Sequence, residues 1–220
     1  MTSTSIAVVG DGSVGKSAII NAFKSDGFLS LYKQTVGFQI YEKKIELRES
    51  VVSLQLWDIG GQSINSKNLE KYLTGVRVVF IVYDTTNMES FINTNDWLRV
   101  VRKHTPESLV YLVGNKIDLI SLRQVSQQQH DAFIEDNAIK GGFFFSAKTG
   151  DNVLKSFYRA AGESIGIHLS AHELGYYDKV VKAHVKAAGD DEGRTAFADE
   201  IEAADRAAME RSRKKGCVCS

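Results

Sequence analysis
The residues of this chain whose types and spacing are suited to chemistry stand in five short segments. Gly10-Asp-Gly-Ser-Val-Gly15-Lys16-Ser17 fits the spacing G-x-x-x-x-G-K-[ST], directly after an apolar run and at the start of a helix-forming one. Glycines let the backbone wrap closely round a triphosphate. The N–H groups of Gly12, Ser13, Val14, Gly15, Lys16, Ser17 and Ala18 then face the anion at a helix N-terminus. Lys16 would reach the outer phosphates, and Ser17 would supply a hydroxyl oxygen to Mg2+. A turn that is glycine-rich for structural reasons alone has no need of Lys and Ser in that register.

Trp57-Asp58-Ile59-Gly60-Gly61-Gln62 ends another apolar run. An isolated Asp in such a place is more often a turn residue. Paired with a phosphate loop, Asp58 reads as a Mg2+ ligand acting through a bound water. Gly61 can offer its N–H to the outermost phosphate, and Gln62 can orient the attacking water, the one catalytic assignment. Thr35 lies in the polar stretch 28–37, and is either a solvated loop threonine or a second hydroxyl for the metal in a loop able to order and release. Phe28 is either a core aromatic or an edge for a base to stack on.

Asn115-Lys116-Ile117-Asp118 follows a further apolar run. The Asp118 carboxylate can accept two parallel hydrogen bonds, from the ring N–H and the exocyclic amine of guanine, a donor pair that adenine lacks. Ser146-Ala147-Lys148 could hold the guanine carbonyl oxygen with backbone N–H groups. Five signals in one order are more specific than any one of them.

The elements that must position these residues follow from the apolar patterning. Ile6–Gly10, Val51–Asp58, Val76–Asp84, Leu109–Asn115 and Gly142–Ser146 read as buried strands, and Gln39–Leu47 as a more exposed one. Helical patterns lie at Lys16–Ser25, Asn65–Leu73, Ser90–His104, Ser126–Asn137 and Asn152–Ile165, with a capping box of Ser126 and Gln129. The alternation predicts an α/β fold, a six-stranded mostly parallel sheet with helices on both faces. A nucleotide-binding domain is expected over 1–169. Residues 170–220, rich in Ala, Asp, Glu, Lys and Arg, are expected to form a variable tail in which 195–214 is at most a fluctuating solvated helix.

Composition narrows the partners. The chain has 220 residues, with Lys+Arg 27 against Asp+Glu 27, so it lacks the basic excess of a nucleic-acid binder. No apolar run approaches the roughly 20 residues that cross a bilayer, which points to folding in the cytosol. The histidines and the run 190–192 lack the spacing of metal sites. Cys217-Val218-Cys219-Ser220 fits C-a-a-X behind Arg211, Arg213, Lys214 and Lys215, marking Cys217 for prenylation. Basic residues supply the second signal that one lipid chain needs, and double modification with Cys219 stays open.

Together these segments resemble the Ras superfamily of small GTPases over residues 5–169. Val82-Tyr83-Asp84-Thr85-Thr86-Asn87 with Ser90-Phe91, Trp97 and Val113–Leu119 resembles its Rab branch. The branch usually reads W-D-T-A-G-Q-E and Y-Y-R-G-A, whereas this chain has Ile59, Gly60 and Ser63, and Lys71-Tyr-Leu-Thr-Gly75. Those departures, with 33–37 and 146–151, resemble the divergent Rab subtype twenty-eight. The W-D-x-G-G-Q string is also Arf-like, but Thr2 stands where Arf proteins carry a myristoylated glycine.

The resemblance implies a monomer, a P-loop, Ras-like G domain that binds GTP and GDP with Mg2+ and hydrolyses GTP slowly. It implies an exchange factor, a GTPase-activating protein and effectors, and a prenylated switch on the cytoplasmic face of an intracellular membrane, cycling with the cytosol in endosomal or ciliary traffic. Gly60 is expected to loosen the second switch loop, and Gln39, where the branch carries an acid, changes the effector surface. The competing readings are a recruitment module that holds GTP with negligible turnover and, more remotely, a P-loop kinase.

Overall fold
Strand β4 (Val78–Asp84) is buried at every position, which is why its sequence shows an unbroken apolar run instead of alternation: both faces of the sheet are covered. The structure is a computed structural model and describes residues 2–24, 35, 37–66 and 69–177. Phe28, Cys217, Cys219, the basic run before them and the segment 195–214 lie outside the described residues.

Six strands form one sheet in the order β2-β3-β1-β4-β5-β6. They are β1 (Thr2–Gly10), β2 (Phe38–Leu47), β3 (Ser50–Ile59), β4, β5 (Leu109–Asn115) and β6 (Gly141–Phe144). Only β2 runs antiparallel, hairpin-fashion against β3; β1 pairs in parallel with β3 and β4, and β5 with β4 and β6. The expected fold class is what the chain adopts.

Period-two alternation splits the interior into two cores. Ile6, Val8, Phe80 and Val82 face helices α1 (Lys16–Lys24) and α6 (Val153–Ser164), where Ile20, Phe23 and Phe157 pack. Ala7, Val9, Val79 and Ile81 face the other side, with Trp97, Val101 and Phe133. The Phe23 and Phe157 rings stack at 4.3 Å.

Strand β1 starts at Thr2, four residues before the expected Ile6, and β4 at Val78, two after the expected Val76; three further boundaries differ from the sequence reading nearer the strand ends and loops singled out above. The expected helix Ser90–His104 is two helices, α3 (Met88–Ile92) and α4 (Thr94–His104), meeting at Asn93. It starts earlier because the Asn87 side chain accepts from the Ser90 N–H and caps α3. Among the described residues of 65–73, Leu69–Leu73 form α2, and Asn65 ends a 3₁₀ turn over Gly61–Asn65. Strand β6 stops pairing at Phe144, where the chain turns to aim Ser146 at Asp118. The Ser126–Gln129 capping box is present at the start of α5 (Gln127–Asp136).

The chain continues in contact past Leu169. Residues 171–177 are helical, Ser170 and Glu173 cap that turn, Arg48 pairs with Glu173 at 2.9 Å, and the Tyr158 and Tyr177 rings lie 3.9 Å apart.

Candidate functional site
The carboxyl ends of β1, β3 and β5 leave the sheet on one edge, and each carries residues singled out above. Strand β1 ends at Gly10, where a Cβ would stand 2.1 Å from the Val82 carbonyl oxygen. Only glycine lets β1 pass so close to β4. The loop beyond it places Ser13 (φ 62) and Gly15 (φ 96) in the left-handed region, the alternation that turns successive N–H groups to one side as an anion nest. Lys16 crosses under the loop: its Nζ donates to the Gly10 and Asp11 carbonyl oxygens at 2.9 and 2.6 Å. Burial lowers its pKa to about 8, against the opposing charges of Asp58 and Asp11. A buried ammonium held by neutral carbonyls gains from an arriving anion.

Ser17 from α1, Thr35 from the polar loop and Asp58 from β3 converge. Ser17 Oγ donates to Asp58 Oδ2 at 2.5 Å, lies 3.0 Å from Thr35 Oγ1, and Thr35 Oγ1 donates to Asp58 Oδ2 at 3.3 Å. Asp58 is fully buried, and its Oδ1 has no hydrogen-bond partner among the described residues. Burial raises its pKa, opposed by the Ser17 hydrogen bond and the Lys16 charge. An orphaned carboxylate oxygen beside two hydroxyls is a hard-oxygen donor set, and one carboxylate with two hydroxyls leaves other positions to phosphate and water, as Mg2+ prefers. The residues fit the ion.

The second switch segment closes on both loops. Gly60 N–H donates to the Gly37 carbonyl at 2.9 Å, and a Cβ on Gly60 would stand 2.4 Å from the Thr35 carbonyl oxygen. Gly60 has φ −59 and ψ 135, a conformation open to any residue. Its glycine therefore serves closeness here, and looseness is not what the backbone shows. A Cβ on Gly61 would lie 2.3 Å from the Gly12 nitrogen, so that residue rests on the phosphate loop. Gln62 follows, exposed, in the 3₁₀ turn.

At the other end, Asn115 joins three segments: its Nδ2 donates to the Val14 carbonyl at 2.9 Å and its Oδ1 accepts from the Ala147 N–H at 3.1 Å. Ser146 Oγ donates to Asp118 Oδ1 at 2.7 Å and orients that carboxylate. Lys116, at φ 66, pairs through Nζ with Asp84 at 2.7 Å. Lys148 is exposed beside them, and Ala18 lies in the first turn of α1. The structure thus gathers every described candidate on one edge of the sheet.

Sequence reasoning missed Asp11, Asn93 and Asp84. A signal existed for the first: a buried tryptophan needs an acceptor for its indole N–H, and Trp97, buried in α4, donates to Asp11 at 2.9 Å. It also missed an apolar surface beside the switches, where Phe38 lies over Trp57 and Tyr72, with centroids 5.8 and 4.2 Å apart.

Compared with known proteins, residues 5–165 match the model of the Ras family. The chain is similar to Ras-related protein Rab-28 of Caenorhabditis elegans, 42% identical over 185 residues, which span 82% of this chain and 74% of that protein. It is also similar to Ras-related protein RGP2 of Oryza sativa subsp. japonica, 36% identical over 166 residues, spanning 74% of this chain and 75% of that one.

Proposed function
The chain belongs to the Ras family, in its Rab branch, and so is a small GTPase that binds GTP and GDP; from that premise we propose that it is a membrane-tethered switch whose GTP-bound form recruits effectors in intracellular traffic. The observation that carries the switch reading is the meeting of Ser17, Thr35 and Asp58 from three separate segments around an unpartnered carboxylate oxygen. Ser17 and Asp58 are fixed in α1 and β3, whereas Thr35 stands outside helix and strand and can let go.

In this reading the N–H groups of residues 12–18 and the Lys16 ammonium hold the phosphates, Asn115, Lys116, Asp118 and 146–148 hold guanine, and Ser17, Thr35 and Asp58 hold Mg2+. The chemistry the cation supplies when bound is neutralisation of charge on the outer phosphates. Gly61 offers its N–H to the γ-phosphate, and Gln62, exposed and adjacent, orients the attacking water. Loss of the γ-phosphate removes the reason for Thr35 and Gly61 to stay together. Phe38, Trp57 and Tyr72, beside both switch segments, supply the apolar contact an effector needs; Phe38 is 37% exposed.

An exchange factor and a GTPase-activating protein set the cycle, since no arginine stands within the nucleotide motifs to act in cis. Residues 1–169 form the G domain and 170–220 the tail, with Cys217 prenylated and the basic residues before it drawn to anionic lipid on the cytoplasmic face of an internal membrane, endosomal or ciliary. No helix among the described residues is long and apolar enough to cross a membrane.

Single-turnover phosphate release from GTP-loaded protein tests the catalytic assignment. Gln62→Leu is expected to slow release at least tenfold while leaving GTP affinity within twofold. An unchanged rate would remove Gln62 from the chemistry.

A further inference from the structure
Asp11 is an acid inside a loop built to hold anions. Its two carboxylate oxygens are taken separately by donors from across the fold: Trp97 Nε1 donates to Oδ1 at 2.9 Å, and Asn93 Nδ2 to Oδ2 at 2.7 Å. Trp97 is 1% exposed in α4, and Asn93 is the hinge residue between α3 and α4. The same residue's carbonyl oxygen accepts from Lys16 Nζ at 2.6 Å, and a Cβ on Gly61 would meet its carbonyl carbon at 2.5 Å. Side chain and backbone of Asp11 thus serve opposite sides of the loop.

A negative charge in that loop, on a partly buried side chain, opposes the charge of a triphosphate. Two neutral N–H donors on rigid helices can compensate the carboxylate and fix it on the α4 side. Without them it is free to turn, uncompensated, toward the phosphates.

We propose that Trp97 and Asn93 form a clamp on the Asp11 carboxylate, and that these three are positioning residues for nucleotide retention. The clamp holds an internal charge away from the bound triphosphate and ties the phosphate loop to the α3–α4 junction. The proposal rests on the reading of residues 10–18 as the phosphate loop.

The test is the dissociation rate of a fluorescent GDP analogue from the full chain in wild type, Lys16→Ala, Trp97→Phe, Asn93→Ala, Asp11→Asn and the two pairwise combinations with Asp11→Asn. Trp97→Phe is expected to release nucleotide about tenfold faster and Asn93→Ala several-fold faster, with the excess shrinking as salt rises. Asp11→Asn removes the charge while its amide oxygen still accepts from the indole, and its own release rate, whatever it is, serves as the reference for the two pairwise combinations. In that background Trp97→Phe and Asn93→Ala should add less than twofold. A purely packing role for Trp97 would act equally in both backgrounds, and that result overturns the clamp, as does an unaltered rate in both single variants. If Trp97→Phe fails to fold, half-exposed Asn93→Ala carries the same comparison. A Lys16→Ala variant that releases nucleotide no faster than wild type overturns the phosphate-loop reading itself and the clamp with it; faster release there with no effect at Trp97 and Asn93 overturns the clamp alone.

Discussion
Gly60→Ala tests whether the missing Cβ at this position is what lets the two switch segments close. The backbone itself offers no obstacle, because φ −59 and ψ 135 suit alanine. The obstacle is space: the new Cβ would stand 2.4 Å from the Thr35 carbonyl oxygen and 3.2 Å from that of Gly37. Carbon–oxygen contacts settle at about 3.3–3.6 Å, so Thr35 must retreat by about 1 Å. Both contacts are to backbone, and neither can swing aside as a side chain would. The retreat weakens the Gly60–Gly37 hydrogen bond, worth about 0.5–1.5 kcal/mol net, and forced overpacking costs about 1–3 kcal/mol. A central figure of about 2 kcal/mol against the closed arrangement corresponds to a factor of about 30. Because Thr35 carries a proposed Mg2+ ligand that matters with the γ-phosphate present, the loss should fall on GTP and spare GDP. Dissociation rates of fluorescent GDP and of a non-hydrolysable GTP analogue, in Mg2+, give the ratio directly. A GTP-to-GDP preference within twofold of wild type would refute the steric argument and return Gly60 to the role of a flexible joint.

Asp118→Ala should cost GTP at least a hundredfold in affinity, since two hydrogen bonds to a charged acceptor are worth about 1.5–3 kcal/mol each; competition against ATP checks it, and retained guanine preference would count against Asp118 as the base reader. His130, 2% exposed and 2.9 Å from the Tyr83 hydroxyl, is held by burial at a pKa of about 4 instead of 6.5. The folded state therefore binds its proton later than the unfolded state, and stability present above pH 6.5 is lost as pH falls toward 4. That loss amounts to about 2 kcal/mol between pH 7.5 and 5. Denaturant midpoints for wild type and His130→Gln should diverge at pH 7.5 and converge toward pH 5, and parallel curves would argue against it. Tyr72→Ala, which strips one ring from Phe38, should abolish capture of GTP-dependent partners while leaving nucleotide affinity within twofold; a loss of both would mean the ring supports the fold instead.

How much of this was legible depended on where each residue's partner lies. The loop over 10–17 was readable as a unit because the phosphate binding proposed for it needs consecutive N–H groups and hence consecutive residues. The strands were readable because burial on both faces removes polar residues from a whole run, as in Val78–Asp84. The capping box was readable because Ser126 and Gln129 are one helical turn apart. Asn93 was not, because nothing within four residues announces that the helix breaks there; its side chain is committed to Asp11, 82 positions away. Boundaries failed for the same reason at Ser146, whose departure from strand β6 is explained by Asp118, 28 positions earlier.

Gly60 shows how one residue can carry two inferences. From sequence, a glycine where relatives have alanine means added backbone freedom, because conformational freedom is the property glycine has in isolation. In the fold its distinguishing property is the absence of an atom, and that matters only because Thr35 and Gly37 have been brought beside it. The two accounts differ in sign: freedom would loosen the switch and absence of a Cβ tightens it. Asp11 repeats the lesson for charge. An acid in an anion-binding loop looks unfavourable until Trp97 and Asn93 are placed on it. The same residue then becomes a place where the α3–α4 junction can act on the nucleotide, because whatever moves those donors changes the charge the triphosphate meets.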